Sequence, residues 1–406
     1  MSFQSFWRSL MIVLWLGFGF FSPGCAPKEE AREEQVITMG LAAPMTGDNA
    51  QFGEMIKRGA GLKVKELNAA GGIKGIKIKL IEEDDVANPQ EAATVAQKFA
   101  NNPEVLIVIG HFNSSCSLAG KPIYQEAGLV ELSPASTNPT VTKGSDWTFR
   151  NIYEDTFQGI SMANYVKEKL GLKRIAVFYD NDDYGTGLKD TFVNEAKRIG
   201  LEIVGTEAYE RDTADFRPQL AKFKQLKPEA IFMSGLYTQA AQIAAQSREL
   251  GMSTQLLGAD GILSSDYIKI GGKATEGTIL SCPFLFELGG KKAEEFVNRF
   301  QQEYQMEPDA WAALTYDAVG IAATAIEKAG QDRKAIRDHL ASMANSETGY
   351  DGVTGLTYFD ANGDCKKPIH VAIVKDAKFM PAPKQIMEIE EGTEPEVETE
   401  TAAGLP

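Results

Sequence analysis

The stretch VIGHFNSSCSLAG, residues 108–120, brings His111, Ser114, Ser115 and Cys116 together directly after an apolar run. These are the residue types of nucleophilic chemistry: a hydroxyl or thiol to attack, and an imidazole to take its proton. The arrangement does not complete such a site. The chain has three histidines, and His339 and His370 fall in a late amphipathic helix pattern and a closing strand pattern, where surface or packing roles are expected. The spacing from His111 to Ser114 does not by itself bring a base onto the hydroxyl. No G-x-S-x-G turn surrounds either serine. No catalytic residue, and so no enzyme, is expected. No G-x-G-x-x-G follows the first strand and no G-x-x-x-x-G-K-[ST] occurs, so no cofactor is expected. DNDDYG, residues 180–185, has the acidic density of a calcium loop. However, Tyr184 stands where an oxygen ligand is required, and Thr191 where the closing glutamate belongs, so no metal is expected. EEDD, residues 82–85, reads as a solvated strand end.

Binding without chemistry needs a scaffold that presents strand ends and helix starts. From Val36 the pattern alternates short apolar runs with helical periodicity. VITMGLAA, IKIKLIEED, EVLIVIG and LVELS read as strands, and NPQEAATVAQKFANN reads as a helix capped by Asn88 with Pro89 at its first position. The rhythm restarts at DTFQGISMANYVKEKLG and runs through RIAVFYD, LEIVGTEAY, EAIFMSG and STQLLGAD. Short helical crossovers force parallel strands with helices on both faces, so the expected fold is α/β with two doubly wound units. Three helical stretches follow Pro283 without strands of their own, and GLTYFDANGDCKKPIHVAIVKDAKF is expected to close the fold as two strands around a turn. The late helices must return to a sheet already made, which gives several crossings between two lobes and a cleft with a hinge. Ligands of open α/β sheets collect beyond the carboxyl ends of the strands. Asn113, Ser114 and Ser115 lie there, with Ser114 or Ser115 expected to cap the next helix, and so do Ala135 and Thr137 of PASTNPT. Free N–H groups and hydroxyls with no fixed cation make a cradle suited to a carboxylate.

The 406 residues carry a formal net charge of -15, which argues against nucleic acid as a partner. The last twenty residues hold seven Glu and no Lys or Arg, and the segment 386–406 is read as an acidic disordered tail. At the other end, Arg8 precedes SLMIVLWLGFGFF, the length of a signal-peptide core and short for a membrane span. SPGC then resembles the lipobox of bacterial lipoproteins, which makes 1–24 an export signal, Cys25 the lipidated residue and 25–35 a polar tether. Cys116, Cys282 and Cys365 show no C-x-x-C spacing.

The segments AAPMTGDNAQFG, LNAAGGIKG, EDDVANP, GHFNSSCS, SPASTNPT, FYDNDDYGTGL and GADG, in this order and spacing, resemble the periplasmic leucine/isoleucine/valine-binding protein family. These are the substrate-binding components of branched-chain amino-acid ABC transporters, and the likeness runs from about Val36 to about Phe379. It implies the type I periplasmic binding fold, two α/β lobes joined by three crossover strands: 36–154 plus 284–363, and 155–283 plus 364–385. It also implies that Ser114, Ala135 and Thr137 hold the α-carboxylate and α-amino groups of the ligand, that Tyr184 closes from the opposite lobe, that Asp260 pairs with the ammonium, and that Phe52 walls the side-chain pocket. Three departures stand out. Asp260 replaces a residue often Glu. Leu236 takes the place of a pocket tyrosine, with Tyr237 beside it. The two cysteines of the family's lobe 1 disulfide correspond to Ala87 and Asn113. A disulfide between Cys282 and Cys365 near the hinge is the alternative pairing.

The function implied is that of an exported, lipid-anchored monomer. It closes around a branched-chain or related amino acid and presents it to a membrane permease. The alternatives are an amide, urea or aromatic acid as ligand, or a sensory role.

Overall fold

The computed structural model describes residues 35–386. The export signal, Cys25 with its tether up to residue 34, and the acidic tail from 387 onward lie outside the described residues. Two parallel sheets form the body. The first contains β1 (Val36–Ala43), β2 (Lys77–Asp84), β3 (Val105–Ile109), β4 (Val130–Ser133) and β5 (Thr148–Arg150), in the order β2-β1-β3-β4-β5. Its crossovers are α1 (Ala50–Ala69), α2 (Pro89–Asn101) and α3 (Ser114–Glu126).

The chain then crosses to α4 (Asp155–Tyr165) and builds the second sheet. Its strands are β6 (Arg174–Asp180), β7 (Glu202–Tyr209), β8 (Ala230–Ser234), β9 (Gln255–Gly258) and β10 (Ile279–Cys282), connected by α5 (Asp183–Arg198), α6 (Arg217–Leu226), α7 (Tyr237–Glu249) and α8 (Ser265–Gly271). Its five parallel strands run β10-β9-β8-β6-β7, the same winding order as the first sheet. That order reverses direction between the first and third strands of each unit, the point at which open α/β sheets leave a crevice.

A second crossing leads to α9 (Gly290–Tyr304), α10 (Ala310–Ala329) and α11 (Arg333–Ser342), which pack against α1, β3 and β4 of the first sheet. α10 is buried on nearly every face, as its largely apolar sequence requires. The small ribbon of β11 (Tyr350–Gly352) and β12 (Gly355–Thr357) follows. A third crossing delivers β13 (His370–Lys375) antiparallel to β10, and β14 (Lys378–Pro381) antiparallel to β13.

Several expectations are corrected. The closing strand pair is β13 and β14. It turns at Asp376 and Ala377, both left-handed (φ 52° and 57°), the geometry that matches strand twist in a two-residue hairpin. The expected first strand, around 355–359, instead pairs with β11 and makes a single bridge from Phe359 to Cys365. Neither Ser114 nor Ser115 caps α3. Asn113 is the cap residue, extended at φ -75° and ψ 135°, and Ser114 begins the helix. The backbone stays extended that far because the His111 carbonyl is held by the hydroxyls of Ser133 (2.7 Å) and Ser136 (3.2 Å).

The Cys282–Cys365 disulfide is not made. Both are buried free thiols, and they donate to different carbonyls, Cys282 to His370 and Cys365 to Ile152. Nor is the acidic cluster at 82–85 simply solvated. Asp85 is fully buried and binds His111, and Asp84 accepts from the N–H groups of Met45 and Val86 at 2.8 and 2.9 Å. Asn88 caps α2 as expected, accepting from Gln90 and Glu91 with Pro89 at the first position.

Candidate functional site

The carboxyl ends of the two sheets face each other across a crevice lined by Phe112, Asn113, Ser114, Ala135, Tyr184, Leu236, Asp260, Gly261 and Trp311. The gap they leave is about 260 Å³, counted out to solvent.

One side comes from the first sheet. Gly110 directly follows β3; its φ is +134°, and an added Cβ would stand 2.2 Å from the Ala42 carbonyl oxygen. Only glycine lets the backbone pass so close to β1 and swing Phe112, Asn113 and Ser114 into the crevice. Ser114 then opens α3, whose first N–H groups have no partner within the helix. Its Oγ accepts from the Asn138 N–H at 3.2 Å, which leaves the hydroxyl proton to donate. Ser133 Oγ takes the N–H groups of Ala135 (3.2 Å) and Ser136 (2.8 Å) and so shapes the turn that presents Ala135. The segments of Ala87 and Asn113 are tied by the buried His111 ring. Its Nδ1 lies 2.7 Å from Asp85 Oδ2 and its Nε2 lies 3.0 Å from the Tyr124 hydroxyl. His111 is thus a brace behind the crevice.

The second sheet supplies the opposite side. Asp182 caps α5 by accepting from Gly185 at 2.7 Å and sets Tyr184 in the first turn. The Tyr184 hydroxyl donates to Asp260 Oδ1 at 2.6 Å and accepts from the Gly261 N–H at 3.0 Å. An added Cβ on Gly261 would meet the Tyr184 ring at 2.8 Å, so the close approach depends on glycine. Asp260 is 1% exposed, and its Oδ2 has no hydrogen-bond partner. Burial raises its pKa to about 6, against the pull of Tyr184.

Asp155, at the first position of α4, is fully buried with both carboxylate oxygens unpartnered. Burial and the charge of Asp260 push its pKa well above the carboxylate range. The Thr137 hydroxyl and Gln158 Oε1 are also unpartnered, while the Thr137 carbonyl accepts from the Asp155 N–H at 2.8 Å. Buried acceptors left unpaired are costly, and together they define a place for a cation with several N–H donors.

Sequence reasoning named six site residues. The structure brings Ser114, Ala135, Tyr184 and Asp260 to the crevice wall. Thr137 stands behind, next to Asp155. Phe52 is one layer back, stacked on Phe112 with centroids 4.2 Å apart. The aromatic wall itself is Phe112 and Trp311, edge to face at 5.1 Å. Leu236 lines the crevice, and its neighbour Tyr237 turns away and donates to the Asp48 carbonyl at 2.6 Å. Asp155, Phe112 and Trp311 were missed. A signal existed for Trp311, a lone tryptophan in an alanine-rich helix start behind the cap Asp309. None existed for Asp155, which reads as an ordinary acidic residue in a first helical turn. DNDDYG holds an arginine, with Asp180 and Asp182 both paired to Arg211, and among the described residues no cluster of three metal-ligating side chains occurs. Nor is any described helix long and apolar enough to cross a membrane.

Residues 36–378 match the family model described as "Periplasmic binding protein". A Leu/Ile/Val-binding protein homolog 1 of Brucella suis is 33% identical over 336 residues, 82% of this chain and 89% of that one. A crystal structure of a leucine binding protein from Thermotoga maritima is similar with a TM-score of 0.81 and 32% identity, over 86% of this chain and 99% of that one. A branched-chain amino acid transporter substrate binding protein from Streptococcus pneumoniae, in complex with isoleucine, is similar with a TM-score of 0.80 and 31% identity, over 85% and 98%.

Proposed function

The chain belongs to the periplasmic binding protein family, and from that premise we propose that it is the extracytoplasmic solute-binding protein of an ABC transporter, taking a branched-chain or related amino acid. The observation that carries the reading is the polarity of the crevice. One end offers the start of α3 with the Ser114 hydroxyl, which suits a carboxylate. The other offers Asp260 with an unpartnered oxygen beside Asp155, which suits an ammonium. In the same lining Phe112, Leu236 and Trp311 suit an apolar side chain. An α-amino acid is a small molecule with these three parts. The Thr137 hydroxyl would add a donor and the Ala135 carbonyl an acceptor at the shared end of the zwitterion, and Phe52 would brace the apolar wall.

No step of covalent chemistry is assigned to the site, and the protein is read as a carrier. The lobes proposed are 36–154 with 284–363, and 155–283 with 364–385. Export follows from the family. Lipid anchoring at Cys25, a monomeric state and delivery to a permease belong to the same reading. Delivery requires that ligand favour the closed state over the open one.

A thermal-shift screen over amino acids, amides, urea and aromatic acids tests the reading. Leucine, isoleucine or valine at about a hundredfold excess over its dissociation constant should add about 2.7 kcal/mol and raise the melting temperature by several degrees. Asp260→Asn should weaken that binding by roughly 2–5 kcal/mol, because the ammonium loses its charged partner. A shift from amides or aromatic acids alone would overturn the choice of ligand.

A further inference from the structure

The loops after β2 and after β7 meet across the crevice rim. These are the equivalent edge strands of the two sheets, since each lies beside the first strand of its unit. Arg211, just past β7, donates from Nη1 to the Ala87 carbonyl at 2.8 Å. On its own side it is fixed by Asp182, by Asp180 at 3.4 Å, and by Gln239, which donates to the Arg211 carbonyl. Asp182 is the cap of the helix that carries Tyr184. On the far side, Val86 and Ala87 are both left-handed (φ 44° and 55°), which turns the Ala87 carbonyl outward. Ala87 donates to Asp85 Oδ1 at 3.0 Å, Asp85 holds His111, and the His111 carbonyl is gripped by Ser133 and Ser136, which shape the turn at Ala135. One bond that touches no ligand therefore joins the mount of Tyr184 to the mount of Ala135 and Ser114.

We propose that Arg211 is a positioning residue: its bond to the Ala87 carbonyl is one of those that favour the closed lobes, and through that it raises the affinity for every ligand the crevice takes. Ligand reaches the same closed state by bridging Ser114 and Asp260, so the latch and the ligand add to one equilibrium. The effect of losing the latch is a common factor for all ligands, because Arg211 does not discriminate among them.

Cys116 gives a readout that a purely structural role would not move. It sits in the first turn of α3 with no exposed surface, and the charges of Asp85, Arg211 and Asp182 all act on its thiol. Its neighbour Ser115 accepts from the Asp183 N–H at the start of α5 at 3.3 Å, so opening of the lobes would uncover this turn, whereas Cys282 and Cys365 lie in β10 and the third crossing. The test is maleimide labelling of the full chain, read at each cysteine by peptide mass spectrometry, together with calorimetric affinities for leucine, isoleucine and valine. Arg211→Lys keeps the charge beside Asp180 and Asp182 but cannot reach them and Ala87 together. Arg211→Ala removes all three contacts.

In both variants Cys116 should label faster without ligand, be protected again by saturating ligand, and leave the rates at Cys282 and Cys365 unchanged. Affinity should fall by the same factor for all three ligands, about ten- to a hundredfold in Arg211→Ala for a lost hydrogen bond to a charged group. If Arg211→Ala does not fold, Arg211→Lys decides. Unchanged Cys116 labelling and affinity overturns the proposal, as does a loss that differs from ligand to ligand. The proposal rests on reading the crevice as a closing ligand site, but labelling without ligand tests the latch even if no amino acid binds.

Discussion

At the residue scale the decisive group is Asp260, with Asp155 beside it. Both are buried and hold oxygens with no partner. In the free, folded chain burial raises the pKa of Asp260 to about 6 from 3.8, so between those values the folded chain binds more protons than the unfolded one. Ligand-free stability therefore falls as pH rises through that window, by about 3 kcal/mol for a shift of this size. An ammonium favours the charged carboxylate and reverses the preference. Affinity for leucine should then weaken as pH drops below about 6, by up to about tenfold per unit for one proton. Titration calorimetry at pH 5, 6 and 7 checks this, and Asp260→Asn should flatten the profile. A pH-independent affinity in the wild type would remove Asp260 from the ammonium site. The identity of Asp260 was readable from GADG; its unpaired oxygen and its neighbour Asp155 were not, because they depend on where the ends of β9 and the start of α4 meet.

At the element scale the site hangs on how β3 runs into α3. Gly110 passes 2.2 Å, measured from a hypothetical Cβ, from the carbonyl of Ala42, and its φ of +134° lies where L side chains are rarely found. Gly110→Ala should cost about 2–4 kcal/mol through clash and backbone strain. Denaturant unfolding measures it, and a loss under 1 kcal/mol would show that the strand end can shift without penalty. The brace behind this junction, Asp85 to His111 to Tyr124, joins the loops after β2 and β3 to α3. His111 had the look of a general base only because its partners were out of view.

At the scale of the whole molecule, two doubly wound units of the same strand order are crossed three times by the chain and held shut by bonds that end on backbone groups. Besides Arg211 to Ala87 these include Tyr237 to Asp48 (2.6 Å), Asn138 to Asp183 (2.6 Å) and Trp311 to Leu263 (3.0 Å). A side chain that binds a backbone carbonyl depends on the fold of its partner more than on the partner's sequence. The proposed anchor also belongs to this scale. Cys25→Ala should move the protein from the membrane fraction to the soluble periplasmic fraction while leaving ligand affinity unchanged. Fractionation with immunodetection reads the outcome, and retention in the membrane fraction would refute lipidation at Cys25.

The alternation of apolar runs with helical periodicity determined the α/β class and the doubled winding, because burial on both faces of a parallel sheet imposes that pattern locally. Caps such as Asn88 and the strand-end placement of Ser114 and Ala135 were likewise local and legible, whereas Tyr184 and Asp260 were named through the family resemblance of their segments. Only the tertiary structure decided that Asp155 and Trp311 join the site, that Phe52 stands behind Phe112, that Cys282 and Cys365 stay apart, and that Arg211 spans the rim. Each of these depends on which strand ends and helix starts come together, and that is fixed by long-range packing rather than by any neighbour in the chain.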